Sequence, residues 1–107
     1  MVETITLTNI DDKKEMYRLT KDAKALDENL SKFESLTKID KFILSETSDG
    51  KQVLRFTAGD VKVATTAKNV VEEIINYYNI FEELPSIVLK KEKSSNGRKY
   101  TCVSEIE

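Results

Sequence analysis

The side chains that could do chemistry are cations near the C-terminal end of the chain. Residues 86–101 contain five basic side chains against one acid, Glu92, and Tyr100 stands directly after the last of them. The five are Lys90, Lys91, Lys93, Arg98 and Lys99. Cations can bind the phosphates of a nucleic acid, and a flat tyrosine ring can stack on a base. Such a segregated patch is typical of nucleic-acid-binding proteins, although a charged run is more often a solvated face.

The residues used most often in catalysis and metal binding are scarce. The chain has no histidine, which excludes the usual catalytic triads and zinc sites. Its single cysteine, Cys102, has no histidine to activate it, and we expect a small buried side chain there. Carboxylate pairs such as Glu72-Glu73 lie in polar contexts, and the sequence has no glycine-rich phosphate loop. We therefore expect no enzymatic activity, no cofactor and no metal.

Length and composition indicate one soluble domain. A chain of 107 residues can bury a single modest core, and 39% of its residues are hydrophobic. No stretch approaches the roughly 20 apolar residues of a membrane span, and the start of the chain lacks a signal-peptide pattern. One cysteine excludes an internal disulfide and suits a reducing cytoplasm. The net charge of −2 does not itself indicate nucleic-acid binding, because acids collect in the N-terminal third, on a central helix and at the C-terminus.

The element that must position these side chains is a predicted helix from Thr65 to Phe81. Val70, Ile74, Tyr77 and Phe81 recur every three or four residues, which predicts a helix with a broad apolar face. A threonine at its start could cap the free backbone amides. We expect the tyrosines of this helix to be structural.

Five strand-like runs surround this helix, three before it and two after it. They cover residues 37–47, 52–57, 61–65, 87–93 and 98–103. All three glycines lie in turns between strands. The order β-β-β-α-β-β is that of the oligonucleotide/oligosaccharide-binding (OB) fold, a small five-stranded barrel. We therefore predict a single α+β domain over residues 1–107, with an OB-like five-stranded β-barrel at 36–107. Other small barrels and α+β sheets share this order.

The first 35 residues form an N-terminal extension to the predicted barrel. Residues 4–8 alternate like a short strand, and an apolar stripe at helical spacing follows. The stripe consists of Met16, Leu19, Ala23, Leu26, Leu30 and Phe33. It predicts either one long helix or two short helices broken near residues 20–22. The stripe packs either on the body of the domain, which we favour, or against a second copy of the chain in a homo-oligomer.

In OB-like barrels the ligand usually crosses strands two and three, between the first hairpin and the loop that joins strands four and five. The predicted binding residues are Lys51, Arg55, Lys62, Lys91, Lys93, Arg98, Lys99 and Tyr100. Successive residues of a strand point to opposite faces, so Arg55 and Phe56 cannot line the same surface, and neither can Lys99 and Tyr100. Phe56 and Tyr100 are therefore either core residues or stacking residues.

Three segments are rich in turn residues: VATTAKNVVEEI (63–74), IVLKKEKSSNGRKYTCVSEI (87–106) and ITLTNIDDKKEMYRLT (5–20). They resemble, respectively, the segment after strand three, the closing hairpin and the N-terminal extension of small single-stranded DNA-binding proteins of phages that infect Gram-positive bacteria. The resemblance implies a phage protein of the host cytoplasm that coats single-stranded DNA with little sequence preference during DNA replication or recombination. On that analogy the functional motif consists of Lys93, Arg98, Lys99 and Tyr100.

The sequence leaves three functions of different classes open. The first is binding of single-stranded DNA without catalysis, with replication or recombination proteins as further partners. The second is inhibition of a host enzyme by a small phage protein, whose acidic N-terminal region and apolar stripe would make the contact. A structural oligomerisation module is the third. A titration with labelled oligo-dT separates the first function from the other two.

Overall fold

The computed structural model describes residues 3–107, which form eight strands, two α-helices and one 3-10 helix. In chain order these are β1 (Glu3–Thr8), α1 (Lys13–Asp22), β2 (Lys24–Ala25), the 3-10 helix (Leu26–Phe33), β3 (Thr37–Lys38), β4 (Lys41–Thr47), β5 (Gln52–Ala58), β6 (Val61–Thr65), α2 (Lys68–Phe81), β7 (Ser86–Lys93) and β8 (Lys99–Ile106). The predicted runs at 52–57, 61–65, 87–93 and 98–103 each correspond to one strand, whereas the run at 37–47 is divided between β3 and β4, which belong to different sheets. The two-residue strand β2 has no signal in the sequence pattern.

Five strands form one open sheet in the order β1-β4-β5-β6-β2. All neighbours are antiparallel except β2 and β6, which pair in parallel. The β4–β5 hairpin turns at Gly50, whose φ of 86° is a left-handed conformation that glycine adopts without steric strain. Across the turn, the N–H of Thr47 donates to the carbonyl of Lys51 at 2.8 Å. The predicted hairpin turn is therefore confirmed.

The remaining strands form a second open sheet in the order β3-β7-β8. β7 and β8 are antiparallel strands of eight residues each, and β3 pairs only with the start of β7. In the turn between β7 and β8, Ser94 N–H donates to the carbonyl of Arg98 at 2.8 Å, and Gly97 N–H donates to the carbonyl of Ser94 at 2.9 Å. This last hairpin carries the basic run found in the sequence.

The prediction of an OB-like closed barrel is wrong. The two sheets are separate, and each is open at its edges. The N-terminal segment supplies the reason: β1 pairs with β4, and β2 pairs with β6. The two outer edges of the β4-β5-β6 meander, which barrel closure requires, are therefore occupied. The last hairpin instead pairs with β3, and the chain folds as an α+β structure with two sheets.

The main hydrophobic core joins both sheets, α2 and the 3-10 helix. Phe33, Phe56, Ile74 and Ile87 come from four different elements and are all fully buried. The rings of Phe33 and Phe56 meet edge to face, with centroids 5.8 Å apart and planes at 71°. Burial of each such side chain stabilises the fold by roughly 1.5–3 kcal/mol before other contributions are counted.

α1 covers the opposite face of the five-stranded sheet. Phe56 on β5 points into the main core, so its neighbour Arg55 points to the other face. Ile43 is the cross-strand partner of Arg55 and therefore shares that outer face. There Ile43 packs with Leu19 of α1 and with Ile10 in a second, smaller hydrophobic cluster.

The apolar stripe of the N-terminal segment is divided between these two clusters. Leu19 lies in the outer cluster, whereas Leu26 and Phe33 enter the main core from the 3-10 helix. α1 ends at Asp22 and the next residue is extended, which confirms the break predicted near residues 20–22. Three residues of the stripe are buried within the chain and the other three are half-buried, so the stripe packs on the body of the domain, as we favoured.

α2 begins three residues later than the pattern predicts. Thr65 ends β6, and its hydroxyl accepts from the N–H of Ala67, the N-cap residue, at 3.0 Å. Val70 and Ile74 are buried as predicted, but Phe81 is 57% exposed, so its placement on the buried face is wrong. Among residues 3–107, no helix is long and apolar enough to cross a membrane.

Candidate nucleic-acid interface

The register of the last hairpin brings three lysines onto one face. Lys93 lies directly opposite Lys99, and Lys91 lies opposite Thr101. Because side chains alternate along a strand, all four point to the same side of the hairpin. Lys93 and Lys99 are exposed, and neither makes a salt bridge within residues 3–107. Like charges in direct opposition destabilise a hairpin, so this pair is an unfavourable feature that a bound polyanion would relieve.

Arg98 lies at the tip of the same hairpin. Its N–H donates to Asn96 Oδ1 at 3.2 Å and its carbonyl accepts from Ser94 N–H at 2.8 Å, while its side chain is exposed. Gly97 has a φ of 85°, a left-handed conformation that other residues rarely adopt. The turn thus fixes the backbone of Arg98 and adds a fourth cation beside Lys99.

A cleft of about 460 Å³ opens beside this face of the hairpin. Lys91, Lys99 and Tyr100 line it from the hairpin, and Thr65 and Thr66 line it from the segment that leads into α2. β2, the start of the 3-10 helix and residues of β5 and β6 complete the wall. The fold therefore brings three of the predicted binding residues around one concave surface.

One carboxylate, Asp27, stands inside this basic surface. Its Oδ1 accepts from the Thr101 hydroxyl at 2.6 Å and lies 3.3 Å from Lys91 Nζ. The Thr101 hydrogen bond and the nearby Lys91 hold the pKa of Asp27 below its usual value. Asp27 thus connects the hairpin to the 3-10 helix and partly neutralises Lys91, whereas Lys93 and Lys99 keep their full charge toward solvent.

Tyr100 lies at the rim between a basic and an acidic surface. It lines the cleft with Lys99, and it lines a second depression with Glu72 and Glu73 of α2. Its hydroxyl lies 3.4 Å from Oε2 of Glu92, its cross-strand partner. Partial burial and the Glu92 carboxylate raise the pKa of Tyr100. With 37% of its surface exposed, Tyr100 is a surface residue whose ring is open to a ligand.

Lys51 borders an adjoining depression, which it lines together with Lys68 at the start of α2. Thr66 lines both this depression and the cleft. The first and last hairpins therefore border the same short segment before α2, although no barrel joins them.

Two predicted binding residues on the five-stranded sheet are paired with acids. Nη1 and Nη2 of Arg55 donate to the two carboxylate oxygens of Glu3 at 2.9 and 3.1 Å, and the Arg55 side chain is 13% exposed. Lys62 Nζ lies 3.6 Å from Asp22 Oδ2. Each cation would have to leave its carboxylate to contact a phosphate. Phe56, beside Arg55, is fully buried in the core, so a stacking role for it is wrong.

A further basic surface, not expected from the sequence, lies on α1. Its exposed side carries four cations around Tyr17, namely Lys13, Lys14, Arg18 and Lys21. The N-terminal third looks acidic when charges are counted along the chain, because Asp11, Asp12 and Glu15 alternate with these cations. A helical projection of residues 13–22 separates the two signs and would have revealed the surface.

The described residues offer little for metal or thiol chemistry. Across residues 3–107, no group of three or more His, Cys, Asp or Glu side chains is placed to hold a metal ion. Burial raises the pKa of the Cys102 thiol above its usual value, which keeps the thiol protonated near neutral pH and makes it a poor nucleophile.

In comparisons with protein-family models, curated proteins and solved structures, no match to the chain was found. These comparisons leave the resemblance to phage single-stranded DNA-binding proteins as a prediction. The function is therefore inferred from the geometry and charge of the surfaces described above.

Proposed function

We propose that this protein binds single-stranded nucleic acid, without catalysis, through the last hairpin and the cleft beside it. The observation that carries the proposal is the direct opposition of Lys93 and Lys99, which make no salt bridge within the described chain. Arg98 at the tip and Lys91 at the cleft extend this pair into a row of cations along which a phosphate backbone can lie.

Tyr100 is the reason to propose a single strand and not a duplex. A ring at the cleft rim can stack on a base only if that base is unpaired. The residues that line the cleft include no Asn or Gln, which are the side chains that read adenine edges by paired hydrogen bonds. Cations and one aromatic ring bind most sequences about equally, so we expect little sequence preference.

The choice of DNA over RNA, and a role in phage replication or recombination, rest on the resemblance alone. The alternative, inhibition of a host enzyme, depended on an acidic N-terminal region and an apolar stripe. In the fold, Leu26 and Phe33 of that stripe are buried, and the exposed side of α1 is basic. The fold therefore supports the alternative less well than it supports nucleic-acid binding.

The proposal is tested by titrating fluorescent oligo-dT with single variants at several salt concentrations. Binding of the wild-type protein should weaken with log salt at a slope near −0.7 for each phosphate contact. Lys93→Gln and Lys99→Gln should each flatten that slope by about one contact and weaken binding to all sequences about equally. Lys32→Gln, an exposed lysine on the 3-10 helix, is the matched control and should leave the slope unchanged.

Two results would contradict the proposal. The first is a wild-type protein that does not bind oligo-dT at low salt. The second is binding whose salt slope is the same in Lys93→Gln, Lys99→Gln and Lys32→Gln, which would place the contact elsewhere on the molecule.

A further inference from the structure

The exposed side of α1 forms a compact cationic surface, which we call the α1 basic face. It consists of Lys13, Lys14, Tyr17, Arg18 and Lys21, which together line one shallow depression. At 100° per residue, these five positions fall within about 140° of the helix circumference. Tyr17 lies within that arc, between Lys13 and Lys21, and is 66% exposed, so the four cations lie around an open aromatic ring.

The acids of this helix are already used in other contacts. Asp12 caps α1 by accepting from the N–H of Lys14 at 2.8 Å, and Glu15 pairs with Lys41 on β4. Asp22 lies 3.6 Å from Lys62 on β6. In the described part of the chain, no salt bridge involves any of the four cations of the α1 basic face. The face thus presents net positive charge without internal compensation.

A membrane surface is not the partner that this helix fits. Helices that bind membranes bury their apolar side among the lipids. The apolar side of α1 is already occupied, because Leu19 is buried against Ile10 and Ile43 on the sheet. On α1 the large apolar side chain that stays exposed is Tyr17, and it lies among the cations. A rigid cationic surface with one open ring matches a flexible polyanion that carries flat bases.

One wall of the cleft lies on the face of the five-stranded sheet that α1 covers, whereas the start of the 3-10 helix and the last hairpin line the cleft from the core side. Ile43, which packs against α1, is the cross-strand partner of Arg55 on β5. Val53 is two residues from Arg55 on the same strand, so it points the same way, and it lines the cleft. Ala64 on β6 is also a partner of Arg55, and it lines the cleft as well.

We propose that the α1 basic face is a second contact surface for the single-stranded nucleic acid bound at the hairpin, an inference that rests on the proposed function. Lys21 is the last residue of the face and Ala25 lines the cleft, so the two surfaces are four positions apart in the chain, which is at most about 14 Å when extended. A strand that leaves the cleft over β2 reaches α1 within a few nucleotides. The site is therefore longer than the hairpin alone.

The test compares two double variants with oligo-dT of two lengths. Lys14→Gln/Arg18→Gln removes charge from the α1 basic face, and Lys93→Gln/Lys99→Gln removes charge from the hairpin. Lys32→Gln again serves as the control. The oligonucleotides are about 5 and about 20 nucleotides long, which brackets the roughly 4–16 nucleotides covered by an OB fold, a domain of comparable size. Far-UV circular dichroism and thermal melting establish that each variant is folded.

The hairpin variant should weaken binding of both oligonucleotides. The α1 variant should bind the short oligonucleotide as the wild type does. It should bind the long oligonucleotide about tenfold more weakly at 0.1 M salt, with a salt slope flatter by about 1.4. Tyr17→Ala should also weaken the long oligonucleotide several-fold without changing the slope, whereas Tyr17→Phe should bind as the wild type does.

Three outcomes would overturn the inference, and they can be told apart. If the α1 variant binds the long oligonucleotide as Lys32→Gln does while the hairpin variant loses binding, the face is only solvated and the proposed function stands. If the wild-type protein binds neither length, the proposed function fails and this inference fails with it. Suppose that vesicles of anionic lipid bind the wild-type protein but not the α1 variant, and that both proteins bind oligonucleotides equally well. The α1 basic face would then be a membrane-binding surface.

Discussion

At the scale of single residues, the pleat of the last hairpin decides which surface each side chain meets. Lys99 and Tyr100 are adjacent in sequence, yet Lys99 faces Lys93 across the hairpin whereas Tyr100 faces Glu92. The tyrosine ring reaches the cleft only at its rim. A base stacked there would lie to one side of the phosphates held by the lysines, so charge and stacking act on different parts of the same nucleotide.

Substitution of Tyr100 separates these two contributions. Tyr100→Ala removes a stacking surface and no charge, so it should weaken oligo-dT binding roughly tenfold with little change in the salt slope. Tyr100→Phe keeps the ring and loses only the hydroxyl near Glu92, so it should bind as the wild type does. Fluorescence anisotropy titrations at several salt concentrations measure both quantities.

The control for this prediction is the folded state of the variants. Tyr100 is a surface residue, so both variants should melt as cooperatively as the wild type. A folded Tyr100→Ala protein with unchanged affinity would show that no base stacks on this ring.

Rules that depend only on neighbouring residues predict some of these side-chain positions. Contacts between residues far apart in the chain cannot be predicted in this way. Strand alternation predicts that Lys99 and Tyr100 face opposite sides, because it depends only on neighbours in the chain. The carboxylate that occupies Arg55 belongs to Glu3, which is 52 positions away. No local pattern identifies that partner, so a cation that looks free in the sequence is paired in the fold.

At the scale of elements, the N-terminal strands determine the architecture. β1 follows from the alternation of residues 4–8, but its pairing with β4 depends on a contact some 40 residues away. β2 has only two residues and leaves no periodic signal. Together these strands occupy the edges of β4 and β6, so the predicted closure is wrong, and the additional strands β2 and β3 make the element order differ from the predicted one.

The Glu3–Arg55 pair holds β1 to the sheet, and its effect on stability should depend on pH. The hydrogen bonds from Arg55 hold the pKa of Glu3 below its usual value of 4.5. A carboxyl whose pKa is lowered by folding stabilises the fold above its unfolded pKa, and this stabilisation is lost as pH falls through the folded value. Glu3→Gln should therefore destabilise the protein at pH 7 by about 1 kcal/mol.

Thermal melts over a range of pH check this prediction. The difference between wild type and Glu3→Gln should begin to shrink as pH falls below about 4.5 and should close at lower pH, where Glu3 is protonated in the folded state as well. Glu46→Gln is a matched control, since Glu46 is an exposed strand carboxylate without a salt bridge among the described residues. Equal effects of the two substitutions at every pH would contradict the role of the pair.

At the scale of the whole molecule, the location of charge matters more than its sum. The net charge is −2, which suggests weak attraction for a polyanion. The fold nevertheless gathers cations on the last hairpin and on α1, and it leaves exposed acids such as Glu82 and Glu83 just beyond the end of α2. Because exposed charges are screened within about 8 Å at physiological salt, a bound strand experiences the nearby cations much more than the distant acids.

Two variants that change the net charge by the same two units, in opposite directions, test this account. Lys93→Gln/Lys99→Gln removes charge at the hairpin. Glu82→Gln/Glu83→Gln removes acids just beyond the C-terminal end of α2, which is about 20 Å from the N-terminal end at the cleft. At about 0.15 M salt the first should weaken oligo-dT binding tenfold or more, and the second should strengthen it less than about twofold.

The salt dependence makes this comparison decisive. At about 0.01 M salt the screening length rises to roughly 30 Å, which exceeds the length of α2, so the effect of the two glutamates should grow. Both variants change only exposed side chains, so both should melt cooperatively, and Lys93→Gln/Lys99→Gln should melt no lower than the wild type because it removes the like-charge pair. Equal and opposite changes in affinity at 0.15 M would mean that the strand responds to net charge alone, and the hairpin would then have no claim to be the binding surface.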